Sequence, residues 1–184
     1  MVNLIVACNR YNNVIGNENS PIWENQAAHR ERLDDLTMYC PVIMGKNSII
    51  SLSNTLFCSV LIQVSATLVR RHHLPTFPTF EAALDYSYDY AYDDEIFVCG
   101  GERLFDTALN SGVVDRIYLT MIWGGDKIQG NKFFNHPFNN NEYVLYDHSE
   151  LFEADDQNEF PYQFLTVVNR KSLCKIQTGE NFPF

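Results

Sequence analysis

Two stretches of the chain combine glycine, basic and hydroxyl residues at a spacing that suits an anion. The first is Val42-Ile43-Met44-Gly45-Lys46-Asn47-Ser48. A short apolar run ends at a glycine, which lets backbone approach a ligand closely. A helix starting there presents free N–H groups, while Lys46 adds charge and Ser48 a hydroxyl. Read alone, the stretch is also an ordinary strand-to-helix turn with a capping serine. The second is Val98-Cys99-Gly100-Gly101-Glu102-Arg103-Leu104-Phe105. A Gly-Gly pair before a helix offers bare backbone to a diphosphate. It is not the G-x-G-x-x-G fingerprint, so alone it is weak. Two such exits in one small sheet reinforce each other, because a dinucleotide carries phosphates at both ends of its span.

Metal chemistry finds no comparable support. The five cysteines, Cys8, Cys40, Cys58, Cys99 and Cys174, are odd in number and widely spaced, with no C-x-x-C pair. Reduced, mostly buried thiols are the expected state, and no metal site is expected.

The elements that must position these stretches follow from the hydrophobic pattern. Residues 2–8 read as a first strand, 26–38 as a helix closed by Pro41, and 42–44 as a buried strand. A short helix over 46–52 and a strand over 60–64 come next, and 66–78 reads as a loop. A helix opens at Thr79, its N-cap candidate. A strand over 95–99, a helix over 102–110 and a strand over 115–122 continue the alternation. The stretches 142–152 and 160–169 read as an antiparallel hairpin. This order predicts an α/β domain with a mostly parallel central sheet and a C-terminal antiparallel hairpin. The parallel strands are short and apolar because both faces are covered. Ligands in such sheets sit at the carboxyl ends of the strands, where both exits lie. The expected division is one domain over 1–170 and a tail over 171–184.

Composition bounds the partners. The 184 residues carry 13 Lys and Arg against 23 Asp and Glu, a net charge of −10. That balance argues against nucleic acid and against anionic membrane surfaces as partners. No run approaches the ~20 apolar residues of a membrane span. The apolar start is too short for a signal peptide. A cytoplasmic monomer acting on a small molecule is the expectation.

The exits, taken with a Val-Ile-Gly…Trp loop, resemble dihydrofolate reductase. The matching stretches are Leu4-Ile5-Val6-Ala7, Val14-Ile15-Gly16-Asn17-Glu18-Asn19 with Trp23, Pro41 to Lys46, and Ile96 to Phe105. Ile117-Tyr118-Leu119-Thr120 and the hairpin around Ala154-Asp155-Asp156-Gln157-Asn158 complete the set. The resemblance implies eight mostly parallel strands with four flanking helices. It implies NADPH lying across the sheet and a pteridine in a cleft beside it, hence a place in tetrahydrofolate biosynthesis and one-carbon metabolism. By resemblance, Gly45, Lys46, Asn47 and Ser48 meet the adenosine-side phosphates. Cys99, Gly100, Gly101, Glu102, Arg103, Leu104 and Phe105 run along the diphosphate. Ala7, Ile15 and Gly16 lie against the nicotinamide. Ser65 approaches the 2′-phosphate, with Arg70 or Arg71 as helpers. Val6, Ala7, Leu33, Leu52, Leu56, Cys99 and Thr120 line the pterin pocket.

Two departures from the family pattern stand out. The family carries an Asp or Glu five or six residues after the loop Trp, where this chain has Ala28 and His29. Counting back from Met38 and Pro41 favours His29. That carboxylate holds the pterin and helps supply the proton that accompanies hydride transfer. A His with an ordinary pKa, or a water held by Trp23 and Thr120, could handle that proton. Glu31 is near in sequence but about 200° round the helix from His29. The second departure is Ser59, where the family has an Arg for the folate α-carboxylate. The expected activity is NADPH-dependent reduction of 7,8-dihydrofolate to tetrahydrofolate. Two alternatives stay open: a catalytically weak member with a binding or structural role, and a reductase of another pterin or pyrimidine.

Overall fold

The computed structural model describes residues 1–17, 23, 25–52, 56–67, 74–91, 95–126, 128–138 and 141–173, with the side chains of 51 and 52 left out. The roles expected of Leu52, Arg70, Arg71, Glu18, Asn19 and Cys174 concern side chains outside these residues, and most of the 171–184 tail lies outside them too.

Eight strands make the central sheet. They are β1 (Val2–Asn9), β3 (Pro41–Gly45), β4 (Val60–Val64), β5 (Thr76–Phe77), β6 (Ile96–Val98), β7 (Val114–Ile122), β9 (Tyr143–His148) and β10 (Tyr162–Asn169). Their order is β5-β4-β3-β6-β1-β7-β10-β9. Pairs from β5 through β7 are parallel. β10 runs antiparallel to β7, and β9 antiparallel to β10. Among the described residues four α-helices flank the sheet: α1 (Ala27–Thr37), α2 (Lys46–Leu52), α3 (Phe80–Tyr88) and α4 (Glu102–Asn110). The expected architecture is therefore the observed one.

Successive side chains of a strand point to opposite faces, and both faces of the central strands are covered, so these strands are mostly apolar. In β1, Val2, Leu4, Val6 and Cys8 pack into one core with Phe80, Ala83 and Leu84 of α3 and Leu104, Phe105 and Ala108 of α4. Ile5 points the other way, into a second core with Leu33 of α1, Ile49 of α2 and Val42, Met44 and Phe97. Both faces of β1 are covered, so every one of its residues is buried. Thr79 caps α3 as its residue type predicts, its side chain accepting from the Ala82 N–H at 3.3 Å.

Two pairings escaped the sequence. The expected 66–78 loop contains β5, which adds an edge strand against Gln63 and Val64. A second, two-stranded sheet pairs β2 (Val14–Gly16) with β8 (Lys132–Phe133). Gly130 permits the approach beside it: a Cβ there would sit 2.4 Å from the Gly16 carbonyl oxygen. Among the described residues no helix is long and apolar enough to cross a membrane.

Candidate active site

The two glycine exits meet. β3 ends at Gly45, whose N–H donates to the Gly100 carbonyl at 2.7 Å. A Cβ on Gly45 would lie 3.5 Å from the Gly100 oxygen and the Gly101 nitrogen, and one on Gly101 would lie 3.3 Å from Ser48 Oγ. Gly100 has φ +109°, a backbone that side chains rarely tolerate. The glycines therefore bring bare backbone from two strand ends to one point. α4 starts beside it with Gly101 as N-cap and no side chain capping it. Its first-turn amides and the positive end of its dipole favour an anion there.

Glu102 puts a carboxylate at this helix start, and the fold diverts it. Its Oε1 accepts from the Phe133 N–H at 2.9 Å, and its Oε2 pairs with Lys132 Nζ at 3.5 Å. β8 thus holds the acid to one side of the anion slot.

The other end of the site is built on α1. No side chain of its own caps this helix. The cap comes instead from the distant 155–158 turn: Asn158 Oδ1 accepts from the Ala28 N–H at 2.9 Å, and the Gln157 carbonyl from the Ala27 N–H at 3.1 Å. Asp155 Oδ1 in turn accepts from the Asn158 backbone and side-chain N–H groups. Arg32 locks the helix from its outer side. It donates to the Leu119 carbonyl at 2.9 Å and lies 4.4 Å from the centre of the Phe164 ring. These contacts fix where His29 stands.

His29 Nδ1 lies 3.0 Å from Thr120 Oγ1, joining α1 to β7. Thr120 is fully buried and is paired in register with Ala7 of β1. Burial of the ring, reinforced by the Arg32 and Arg30 guanidiniums, pulls the His29 pKa from 6.5 down to about 4. An ordinary pKa was the sequence expectation. The displaced value makes the ring neutral at pH 7, because desolvation and two cations all oppose a third positive charge.

A cavity of about 860 Å³ runs between the two ends, within the range of small-molecule sites. Most sequence-derived residues line it: Val6, Ala7, Ile15, Gly16, Trp23, His29 and Leu33 toward α1 and β1, and Gly45, Lys46, Asn47, Ser48 and Ser65 toward α2 and β4. Cys99, Gly100, Gly101, Glu102, Arg103, Leu104 and Phe105 complete the wall. Thr120 reaches it through His29. Leu56 does not line it but packs against the second core. Ser59 is exposed, its hydroxyl donating to the Tyr90 carbonyl at 3.4 Å. The sequence reading missed Gln26, Arg30, Glu81 and Lys132, which also line the cavity. Gln26 and Arg30 were legible in principle, since residues 26, 29, 30 and 33 share one helical stripe. Glu81 and Lys132 gave no local signal.

Among the described residues, four cations and two carboxylates line the cavity, inside a chain of net charge −10. Such a lining draws anions. No group of three potential metal ligands comes together among them. The Cys8 and Cys99 thiols are buried and free. Burial pushes the Cys8 pKa up to about 12 and raises that of Cys99, so neither is a thiolate.

An α/β fold with a cleft crossing the carboxyl ends of its parallel strands defines the class of protein. The family model for dihydrofolate reductase matches residues 1–169, and the chain belongs to that family. Among solved structures it is similar to dihydrofolate reductase from Enterococcus faecalis complexed with NADP(H) and RAB-propyl. Identity is 17%, with 92% of this chain and 96% of that chain covered and a TM-score of 0.77. No curated protein matches the sequence.

Proposed function

We propose that this protein reduces 7,8-dihydrofolate to tetrahydrofolate with NADPH. The observation that carries the reading is the single cavity joining the glycine cradle to His29 and Thr120. The residues present fit the cofactor. Gly45, Gly100 and Gly101 leave room that a side chain would fill, and α4 opens uncapped beside them. Lys46, Ser48 and Arg103 supply charge and hydroxyl to the phosphates, and Ser65 a hydroxyl to the 2′-phosphate. Ala7, Ile15 and Gly16 lie against the nicotinamide. When bound, NADPH supplies the hydride.

The chain's own part is alignment and proton handling. Val6, Leu33 and Cys99 form an apolar wall for the pterin ring, and Trp23 helps keep bulk water out. His29, neutral at pH 7, orients the ring edge or a water through Nδ1–Thr120 and its remaining nitrogen. It stores no proton there, so the proton that accompanies hydride transfer comes from water. Turnover accordingly rises as pH falls toward 4.

The test is absorbance of NADPH oxidation with and without dihydrofolate. Turnover supports the reading, and NADPH is expected to bind with micromolar or better affinity. A neutral His29 in place of the family carboxylate favours the second reading, a catalytically weak member with a binding role. NADPH binding without turnover of any dihydropteridine would establish that one. The domain spans 1–170 with 171–184 as an appendage, and the protein acts as a cytoplasmic monomer.

A further inference from the structure

One stripe of α1 forms the substrate-side wall: Gln26, His29, Arg30 and Leu33 all line the cavity at i, i+3, i+4 and i+7. Arg30 is its only permanent charge. The two carboxylates of the lining, Glu81 and Glu102, belong to α3 and α4 at the cofactor side. Arg30 is exposed, and among the described residues it makes no ion pair within 4 Å. Asp34, one turn further along α1, feels the same guanidinium but does not line the cavity. Ser59, where a partner for the folate carboxylate was expected, is occupied with the Tyr90 carbonyl and lies outside the cavity.

We propose that Arg30 is the anion-binding residue of the substrate half, taking the carboxylate of a pteridine's acidic tail. This rests on the dihydrofolate reading of the site and deepens it. A guanidinium offers a planar fork that matches a carboxylate, and its position on the His29 stripe sets that fork beside the ring-binding wall. The sign of the substrate half is thereby positive. The site selects acidic pteridines and disfavours protonated, cationic heterocycles.

The test compares two probes on the NADP⁺-saturated full chain, folate and the neutral diamide of its glutamate, which share the ring and the p-aminobenzoyl linker and differ only in the charge of the tail. Binding is read from tryptophan fluorescence. Folate is expected to bind at least about tenfold more tightly, as for a charge-assisted bond. Arg30→Ala removes that excess, Arg30→Lys keeps part of it, and Arg30→Glu makes folate the weaker ligand. Equal affinity of wild type for both probes overturns the proposal, as does an equal loss of both in Arg30→Ala. Oxidation of NADPH with dihydro-6-methylpterin but no Arg30 effect would leave the reductase reading standing and remove this one. A folate excess that Arg30→Ala abolishes, with no reduction of any dihydropteridine, would do the reverse. Failure of both probes to bind ends both.

Discussion

The two halves of the cleft are specified by different kinds of atom. The cofactor half rests on backbone: Gly45, Gly100 and Gly101 meet at the strand exits, and the uncapped start of α4 opens beside them. The substrate half rests on side chains of one helix stripe, Gln26, His29, Arg30 and Leu33. Backbone recognition constrains a sequence to glycine where a side chain is strained or crowded, as at Gly100 with its positive φ and at Gly101 beside Ser48. Side-chain recognition can change its chemistry by substitution while the helix stays in place. The fold can thus keep one partner while it alters its terms for the other.

The sharpest way to break this comparison is to put a side chain into the backbone half. Gly101→Val should weaken NADPH binding about a hundredfold or more, because its methyls crowd Ser48 and the phosphate slot. Calorimetry would measure it, with the melting temperature as a check on folding. Near-normal affinity would show that the cradle does not hold the diphosphate.

Restoring the acid in the other half comes next. Wild type should bind diaminopyrimidine antifolates weakly. His29→Asp should tighten them about ten- to a hundredfold, the worth of a charge-assisted pair, and should raise dihydrofolate turnover at neutral pH. His29→Ala should lower turnover by about tenfold, because the ring edge or its water loses the group that orients it. Nanomolar diaminopyrimidine binding to wild type would show that another acid does the work.

A pH series sharpens the same contrast. The His29 ring titrates at about 4 in the native protein and at 6.5 when unfolded. Between those values the unfolded chain binds more protons, so stability is present above 6.5 and is lost as pH falls toward 4. Denaturant titrations should show wild type losing on the order of 2 kcal/mol more than His29→Asn across that window. Parallel losses in the two proteins would mean that the ring is not desolvated.

The smallest effect lies at the seam with β8. Lys132→Ala removes an exposed pair with Glu102 and should cost under about 1 kcal/mol of stability. It should still weaken NADPH binding severalfold, because Glu102 then faces the anion slot with less of its charge offset. Unchanged NADPH affinity would assign the pair to the surface alone.

The cofactor half was the more legible of the two. Its signal is a strand, a glycine and a helix start in continuous sequence, and α2 and α4 begin at the expected residues 46 and 102. The Thr79 cap was legible for the same reason, being a contact across three residues. β5 and β8, two residues each, carry no periodicity to read and exist only because a neighbouring strand pairs with them.

By itself the sequence determined the longer strands and helices, where the glycines leave the sheet, and that a His stands six residues after Trp23. These are local matters of hydrophobic period, capping and backbone freedom. Only the tertiary structure decided how that His behaves. Its helix is capped by Asn158 from 130 residues away, its ring leans on Thr120, and burial beside Arg32 and Arg30 strips its charge. Arg30 can be read onto the same helical stripe, but its place in the cleft without an ion pair among the described residues cannot. A pKa and an unpaired charge are set by whatever surrounds a group in space, and those neighbours come from strands and turns that sequence distance does not connect.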